Sequence, residues 1–217
     1  DQRVRDFTRE KPVDDAIFEV MRRMYAYDRR PLKETIDSVE DSGPWRKETV
    51  SFDAGYGNER VPAHLFLPTN AAPPFQIVIF FPTGEARMRQ SSRNLNLRFV
   101  DFIIRSGRAV LFPIYQGTYE RNSTGQNGPN ADRDLIISWS KELGRSIDYL
   151  ETRRDIDRAR IAYYGFSLGA VVGAVHVEAR IAQQLHGQLA VDGVVLHQQH
   201  GQAREARAQR CCGGGGR

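Results

Sequence analysis

A serine between two glycines, in Gly165-Phe166-Ser167-Leu168-Gly169, is where residue types and spacing point most directly to covalent chemistry. A hydroxyl attacks a carbonyl only when it projects clear of its backbone and donors await the charge that develops on the carbonyl oxygen. The apolar stretch Ile161-Ala162-Tyr163-Tyr164 reads as a strand leading into this serine, and Leu168-Gly169-Ala170-Val171-Val172-Gly173-Ala174 as a small-residue helix leading out of it. Such a serine sits on a sharp, strained turn, and the glycines remove side chains that would collide there. The helix N-terminus adds a positive dipole beneath the hydroxyl. A tight turn without chemistry would show the same glycines; the flanking strand and helix favour the nucleophile.

Acyl transfer needs two N–H donors aimed at the oxyanion. The Leu168 amide, directly after the serine, is one candidate. The other lies in Phe80-Phe81-Pro82-Thr83-Gly84-Glu85-Ala86, after the first buried strand, with Gly84 as donor and Thr83 and Glu85 beside it. An ordinary strand-to-helix loop remains the alternative there. Tyr115, Tyr119, Glu120 and Arg121 follow the carboxyl end of another buried strand, where open sheets bind ligands. They read equally well as pocket lining or, for Glu120-Arg121, as a surface pair worth little.

The proton acceptor is harder to place among five histidines. His64 falls in an early strand and reads as a strand-surface residue. His176 lies nine residues along the helix from Ser167, about 13 Å at the helical rise and out of reach. His186 is farther still. His197 and His200 end the last expected strand, beside the strand that carries the serine, so they are the candidate bases, although nothing beside them would orient the ring. No metal or organic cofactor is expected. The two cysteines, Cys211-Cys212, are adjacent and form neither a disulfide framework nor a ligand spacing.

The elements that must hold these residues alternate along the chain. An amphipathic helix occupies 13–28, with Ile17, Val20, Met21, Met24 and Tyr25 on one face. Alternation at 49–53 and 61–67 around Gly55-Tyr56-Gly57-Asn58 predicts a hairpin. After Pro73-Pro74, continuous apolar runs at 76–81 and 109–115 predict strands buried on both faces. Helices are expected at 95–105, through Leu135, Trp139, Leu143, Ile147 and Leu150, and from 168 to about 185; a further strand is expected at 191–196. This order implies an α/β fold, a mostly parallel sheet with helices on both faces.

On these residues the chain resembles the dienelactone hydrolase and prolyl-oligopeptidase-like branch of the α/β-hydrolases. The likeness covers residues 49–196 and is most specific at 148–170, where a helix end and a turn around an Asp, in Asp148-Tyr149-Leu150-Glu151-Thr152-Arg153-Arg154-Asp155-Ile156-Asp157, precede the strand and the serine. It implies a serine hydrolase acting on small-molecule or peptide esters or amides through an acyl-enzyme on Ser167. A weaker likeness, through Tyr115-Gln116-Gly117-Thr118-Tyr119-Glu120-Arg121 and the N-terminal helix, is to hydrolase modules appended to some bacterial serine/threonine kinases. It implies an upstream domain, with 1–48 as a helical extension or linker. The family places its acid and histidine after two further strands, for which this sequence has no counterpart, so the last strands of the fold are expected to be lacking.

Composition sets bounds on these readings. The net charge of +4 rests on 31 basic residues scattered among 27 acidic ones, which is a solvated surface and not a nucleic-acid stripe. The longest apolar run, 77–81, is too short to cross a bilayer, and the charged opening Asp1-Gln2-Arg3 is not a secretion signal; both favour the cytoplasm. The chain opens without Met, which fits a processed form or a piece of a longer protein. From Ser167 onward there is no Phe, Tyr, Trp or Pro, and residues 198–217 are mostly Ala, Gln, Arg and Gly without apolar periodicity. That tail is expected to be disordered, either a solvated end or the product of an interrupted reading frame. Besides the enzyme, a non-catalytic scaffold that binds a ligand or partner and a chain too incomplete to fold stably are both consistent with the sequence.

Overall fold

A computed structural model describes residues 11, 13–122, 128–173 and 194–197. The expected disordered tail and the distal part of the helix after Ser167 lie outside the described residues. Helix α1 (Asp15–Met24) opens on Asp14, whose carboxylate accepts from the Ala16 and Ile17 amides at 2.8 and 3.3 Å, satisfying two donors that a helix start leaves orphaned. None of its residues is buried.

Seven strands form one sheet: β1 (Thr35–Ser42), β2 (Trp45–Asp53), β3 (Arg60–Pro68), β4 (Phe75–Phe81), β5 (Ala109–Pro113), β6 (Ile156–Phe166) and β7 (Val194–His197). Their order is β1-β2-β3-β5-β4-β6-β7. The first three and the β3–β5 junction are antiparallel, whereas β5, β4, β6 and β7 run parallel, so the sheet is mixed. The hairpin around 55–58 forms as expected, Phe52 facing Val61 and Val50 facing Ala63. One expectation fails. The stretch through residue 48, read as a helical extension or linker, supplies β1 and the first residues of β2. Thr35–Ser42 contains Asp37, Glu40 and Asp41 and stays exposed along nearly its whole length. An edge strand with acidic side chains buries no apolar face, so it carries no alternation to read.

The parallel strands are buried on both sides, as their continuous apolar runs predict. From β4, Ile77, Ile79 and Phe81 join a core with Leu135, Trp139, Leu143, Ile147 and Leu150 of helix α3 (Ala131–Thr152). Val78 and Phe80 point the other way and pack with Ile103 and Ile104 of helix α2 (Asp101–Arg105). The helix expected over 95–105 is split into a single 3-10 turn, Leu97–Phe99, and this short α2.

The connection from β4 to β5 thus runs over one face and that from β5 to β6 over the other. β4 is the strand at which the order reverses. In open sheets the loops that leave the carboxyl ends at such a point diverge and leave a crevice.

Candidate active site

Ser167 stands in that crevice. It follows the last residue of β6, is exposed, and holds φ at +56°, in the left-handed region that a residue with a side chain occupies only under constraint. The constraint is visible at the two glycines. A Cβ on Gly165 would lie 2.4 Å from the Gly169 carbonyl carbon and 2.5 Å from its oxygen, and one on Gly169 would lie 2.6 Å from the Phe81 oxygen. All three are backbone atoms that cannot swing aside. The helix at 168–173 is thereby pressed against both β6 and the end of β4, and Tyr163 ties it down by donating its hydroxyl to the Gly169 carbonyl at 2.6 Å. The turn closes with the Ala170 amide donating to the Ser167 carbonyl at 3.0 Å.

The candidate oxyanion donors come from the two loops that meet here. Leu168 is the first helical residue after the serine, and Gly84 opens the 3-10 turn Gly84–Met88 after β4. First-turn amides have no partner within their own helix, which leaves them for a ligand. Thr83, Gly84 and Glu85 join Arg98, Phe99, Phe166 and Ser167 around an open pocket of about 570 Å³, within the range of small-molecule sites. Phe99 and Phe166 form its aromatic wall, ring centroids 5.0 Å apart, and the Arg98 guanidinium lies 4.5 Å over the Phe99 ring. Arg98 and Phe99 line this pocket, and the sequence did not reveal them. They sit in a short irregular stretch whose pattern reads as plain helix.

The residues after β5 go elsewhere. Tyr115 is fully buried and stacks on Phe81, centroids 4.1 Å apart, so it supports the strand end beneath the serine and does not line the pocket. Burial pushes its phenol well above the usual range. Arg121 is turned inward and pairs at 2.7 Å with Glu142 of α3, a carboxylate with no exposure. Glu142 also accepts from the Gln116 amide at 3.0 Å and from the Tyr56 hydroxyl. Glu120 accepts from Ser92. Glu120 and Arg121 are therefore neither pocket walls nor a surface pair with each other. Tyr119, at φ +46°, packs edge-on to Phe112 and lines a small recess beside the pocket. A signal for Glu142 existed in the sequence: it stands three residues after Trp139 and seven after Leu135, on the apolar stripe of α3. A carboxylate at that spacing must be paired inside the protein.

His197 ends β7, its backbone registered beside Phe166; His200 lies outside the described residues. His64 is not the surface residue that its strand suggested. It is 8% exposed, with Nε2 2.9 Å from Ser92 Oγ and Nδ1 3.3 Å from Thr49 Oγ1. Burial, reinforced by the nearby Lys47 charge, lowers its pKa to about 4 against the raising influence of Glu120 and Glu40. The unfolded chain takes up this proton below about 6.5, the folded one only near 4. The stability contributed by neutral His64 is thus complete above about 6.5 and lost as pH falls toward 4, on the order of 2 kcal/mol. Urea melts at pH 7 and pH 4.5 should show a loss that shrinks in His64→Gln; an equal loss in both proteins would refute the assignment.

Among the described residues no group of three or more His, Cys, Asp or Glu could hold a metal ion, and no helix is long and apolar enough to cross a membrane.

No family model matches the sequence, and no curated protein matches it. Solved structures do. Acetyl Xylan Esterase 1 from Thermoanaerobacterium sp. JW/SL YS485 is 15% identical, with a TM-score of 0.57 over 78% of this chain and 56% of its own. The acetyl xylan esterase from Paenibacillus sp. R4 is 18% identical, with a TM-score of 0.55 over 76% and 55%. The chain spans about half the length of these structures.

Proposed function

The chain has the α/β-hydrolase fold, and on that premise we propose that it is a serine hydrolase module that cleaves esters through an acyl-enzyme on Ser167. The observation that carries this reading is the strained, exposed serine at φ +56°, set at the mouth of a pocket between two helix-opening amides. Strain of this kind, on the order of 1–3 kcal/mol, persists only where the surroundings over-determine it. Here the close contacts of Gly165 and Gly169 do so. Ser167 Oγ attacks the ester carbonyl, the Leu168 and Gly84 amides hold the oxyanion, and the alcohol departs with a proton before water releases the acid. The reading extends to small-molecule esters, acetyl esters being the class in the names of the structural neighbours, and needs no cofactor.

The base is the part not placed among the described residues. Among the described residues no histidine side chain is placed beside Ser167, and His197 and His200 remain the proposed candidates. Serine proteases stripped of their triad retain about 10³–10⁴-fold acceleration over water, from oxyanion stabilisation and binding alone. We therefore expect slow modification of Ser167 by a fluorophosphonate probe and slow hydrolysis of nitrophenyl acetate by this chain. Peptide mapping should find the adduct on Ser167 and none in Ser167→Ala. Labelling at another residue only, or none while a control hydrolase labels, would refute the nucleophile. Fast turnover that vanishes in Ser167→Ala and in His197→Ala or His200→Ala would show instead that the C-terminal segment supplies the base.

A further inference from the structure

A line of hydrogen bonds, buried between His64 and Ser92 and partly buried at its two ends, lies apart from both the pocket and the Glu142 cluster and runs in one direction. Glu120 Oε1 accepts twice from Ser92, from the amide at 2.7 Å and from Oγ at 2.8 Å. A serine hydroxyl has one proton. With that proton given to Glu120, Ser92 Oγ can only accept from His64 Nε2, 2.9 Å away. His64 Nε2 must then carry the ring proton of the neutral imidazole, which leaves Nδ1 bare to accept from Thr49 Oγ1 at 3.3 Å. Every link donates the same way, from Thr49 through His64 and Ser92 to Glu120. The order rules out His64 as a base acting on Ser92, because the histidine gives a proton toward the serine and does not withdraw one.

The place of Ser92 suggests what the line is for. Residues 89–96 have no helix or strand to hold them, and Gln90, Ser91, Arg93 and Asn94 are all exposed. Ser92 dips furthest inward, to 5% exposure, where His64 of β3 and Glu120 of the loop after β5 meet it, while Leu95 packs half-buried against the core. The same segment carries Gly84 at one end and Arg98 and Phe99 at the other, the amide and the wall of the pocket at Ser167.

We propose that the His64–Ser92–Glu120 line is a positioning tether that fixes the segment 84–99 against β3 and the β5 loop, and so sets the Gly84 amide and the Arg98–Phe99 wall relative to Ser167. His64, Ser92 and Glu120 act through the segment and touch no reacting atom. The effect on chemistry rests on the reading of Ser167 as nucleophile; the tether does not.

Three measurements on this chain test it. Side-chain ¹⁵N NMR at pH 7 should find the His64 proton on Nε2; a proton on Nδ1 overturns the directional assignment. Amide exchange across 84–99 should quicken about five- to tenfold in Ser92→Ala and Glu120→Ala, with β2 and β4 unchanged, while Glu120→Gln, which keeps the accepting oxygen, stays near wild type. Unchanged exchange in both alanine variants overturns the tether. Fluorophosphonate labelling of Ser167 should slow about tenfold in the alanine variants, since displacements well under 1 Å already misalign an oxyanion donor, and should recover in Glu120→Gln. Faster exchange with wild-type labelling overturns the positioning role. If the unmodified chain takes no label, the nucleophile reading and the catalytic half of this proposal fall together, and NMR and exchange still decide the tether.

Discussion

Gly165→Ala is expected to abolish the reactivity of Ser167 and to lower stability by about 3 kcal/mol or more. The added Cβ would stand 2.4 Å from the Gly169 carbonyl carbon, 2.5 Å from its oxygen and 2.9 Å from the Ala170 nitrogen. No side chain can rotate to relieve these contacts. The helix after Ser167 must move off β6, carrying the Leu168 amide with it and relaxing the strained φ of the serine. Misplacing a donor by about 1 Å costs on the order of 100-fold in rate, so labelling by the fluorophosphonate probe should drop at least that far. The destabilisation predicts a melting point lower by roughly 6–12 °C for a chain of this size. Wild-type labelling in Gly165→Ala would show that the close turn is not what presents the serine.

The second large effect is expected at Glu142, which does not line the pocket at Ser167. Its carboxylate has no exposure and takes together the Arg121 guanidinium, the Gln116 amide and the Tyr56 hydroxyl. Burial would lower the pKa of Arg121, but the adjacent carboxylate outweighs it and the guanidinium is held charged; burial and the same carboxylate push the Tyr56 phenol upward. Removing one partner of such a pair strands a desolvated charge and costs about 3–5 kcal/mol. Glu142→Ala should therefore lower the melting point by on the order of 10 °C and loosen the loop that Gln116 and Arg121 anchor. Replacing the pair together, as Glu142→Leu with Arg121→Met, should cost markedly less, because it leaves no buried charge unpaired, although the Gln116 amide and the Tyr56 hydroxyl lose an acceptor. A double variant as unstable as Glu142→Ala would refute the stranded-charge account. Labelling of Ser167 should be nearly unaffected in the double variant, since neither residue lines the pocket.

Local pattern carried much of this molecule. The runs at 76–81 and 109–115 were readable as doubly buried strands because burial on both faces removes polar residues from both. The hairpin was readable because Gly55 and Gly57, at φ +77° and +50°, occupy conformations that few residues accept. Gly165 and Gly169 announced Ser167 for the same reason: close approach of backbones leaves a mark in composition.

What escaped were features settled by residues distant in sequence. β1 exists because Glu40 and its neighbours pair with the backbone of β2, and backbone pairing leaves no trace in side-chain type. Arg121 took Glu142 as partner in place of its neighbour Glu120, across the gap between a loop and a helix. Arg98 and Phe99 reach the serine only because the segment after β4 folds back over the end of the sheet. His64 shows the division most plainly. Its strand, its alternation and its chemical type were all legible, yet whether it met water or Ser92 depended on a loop arriving from 28 residues away. Periodicity reports which face a residue takes; what lies against that face is decided by the path of the rest of the chain, through contacts that close only in three dimensions.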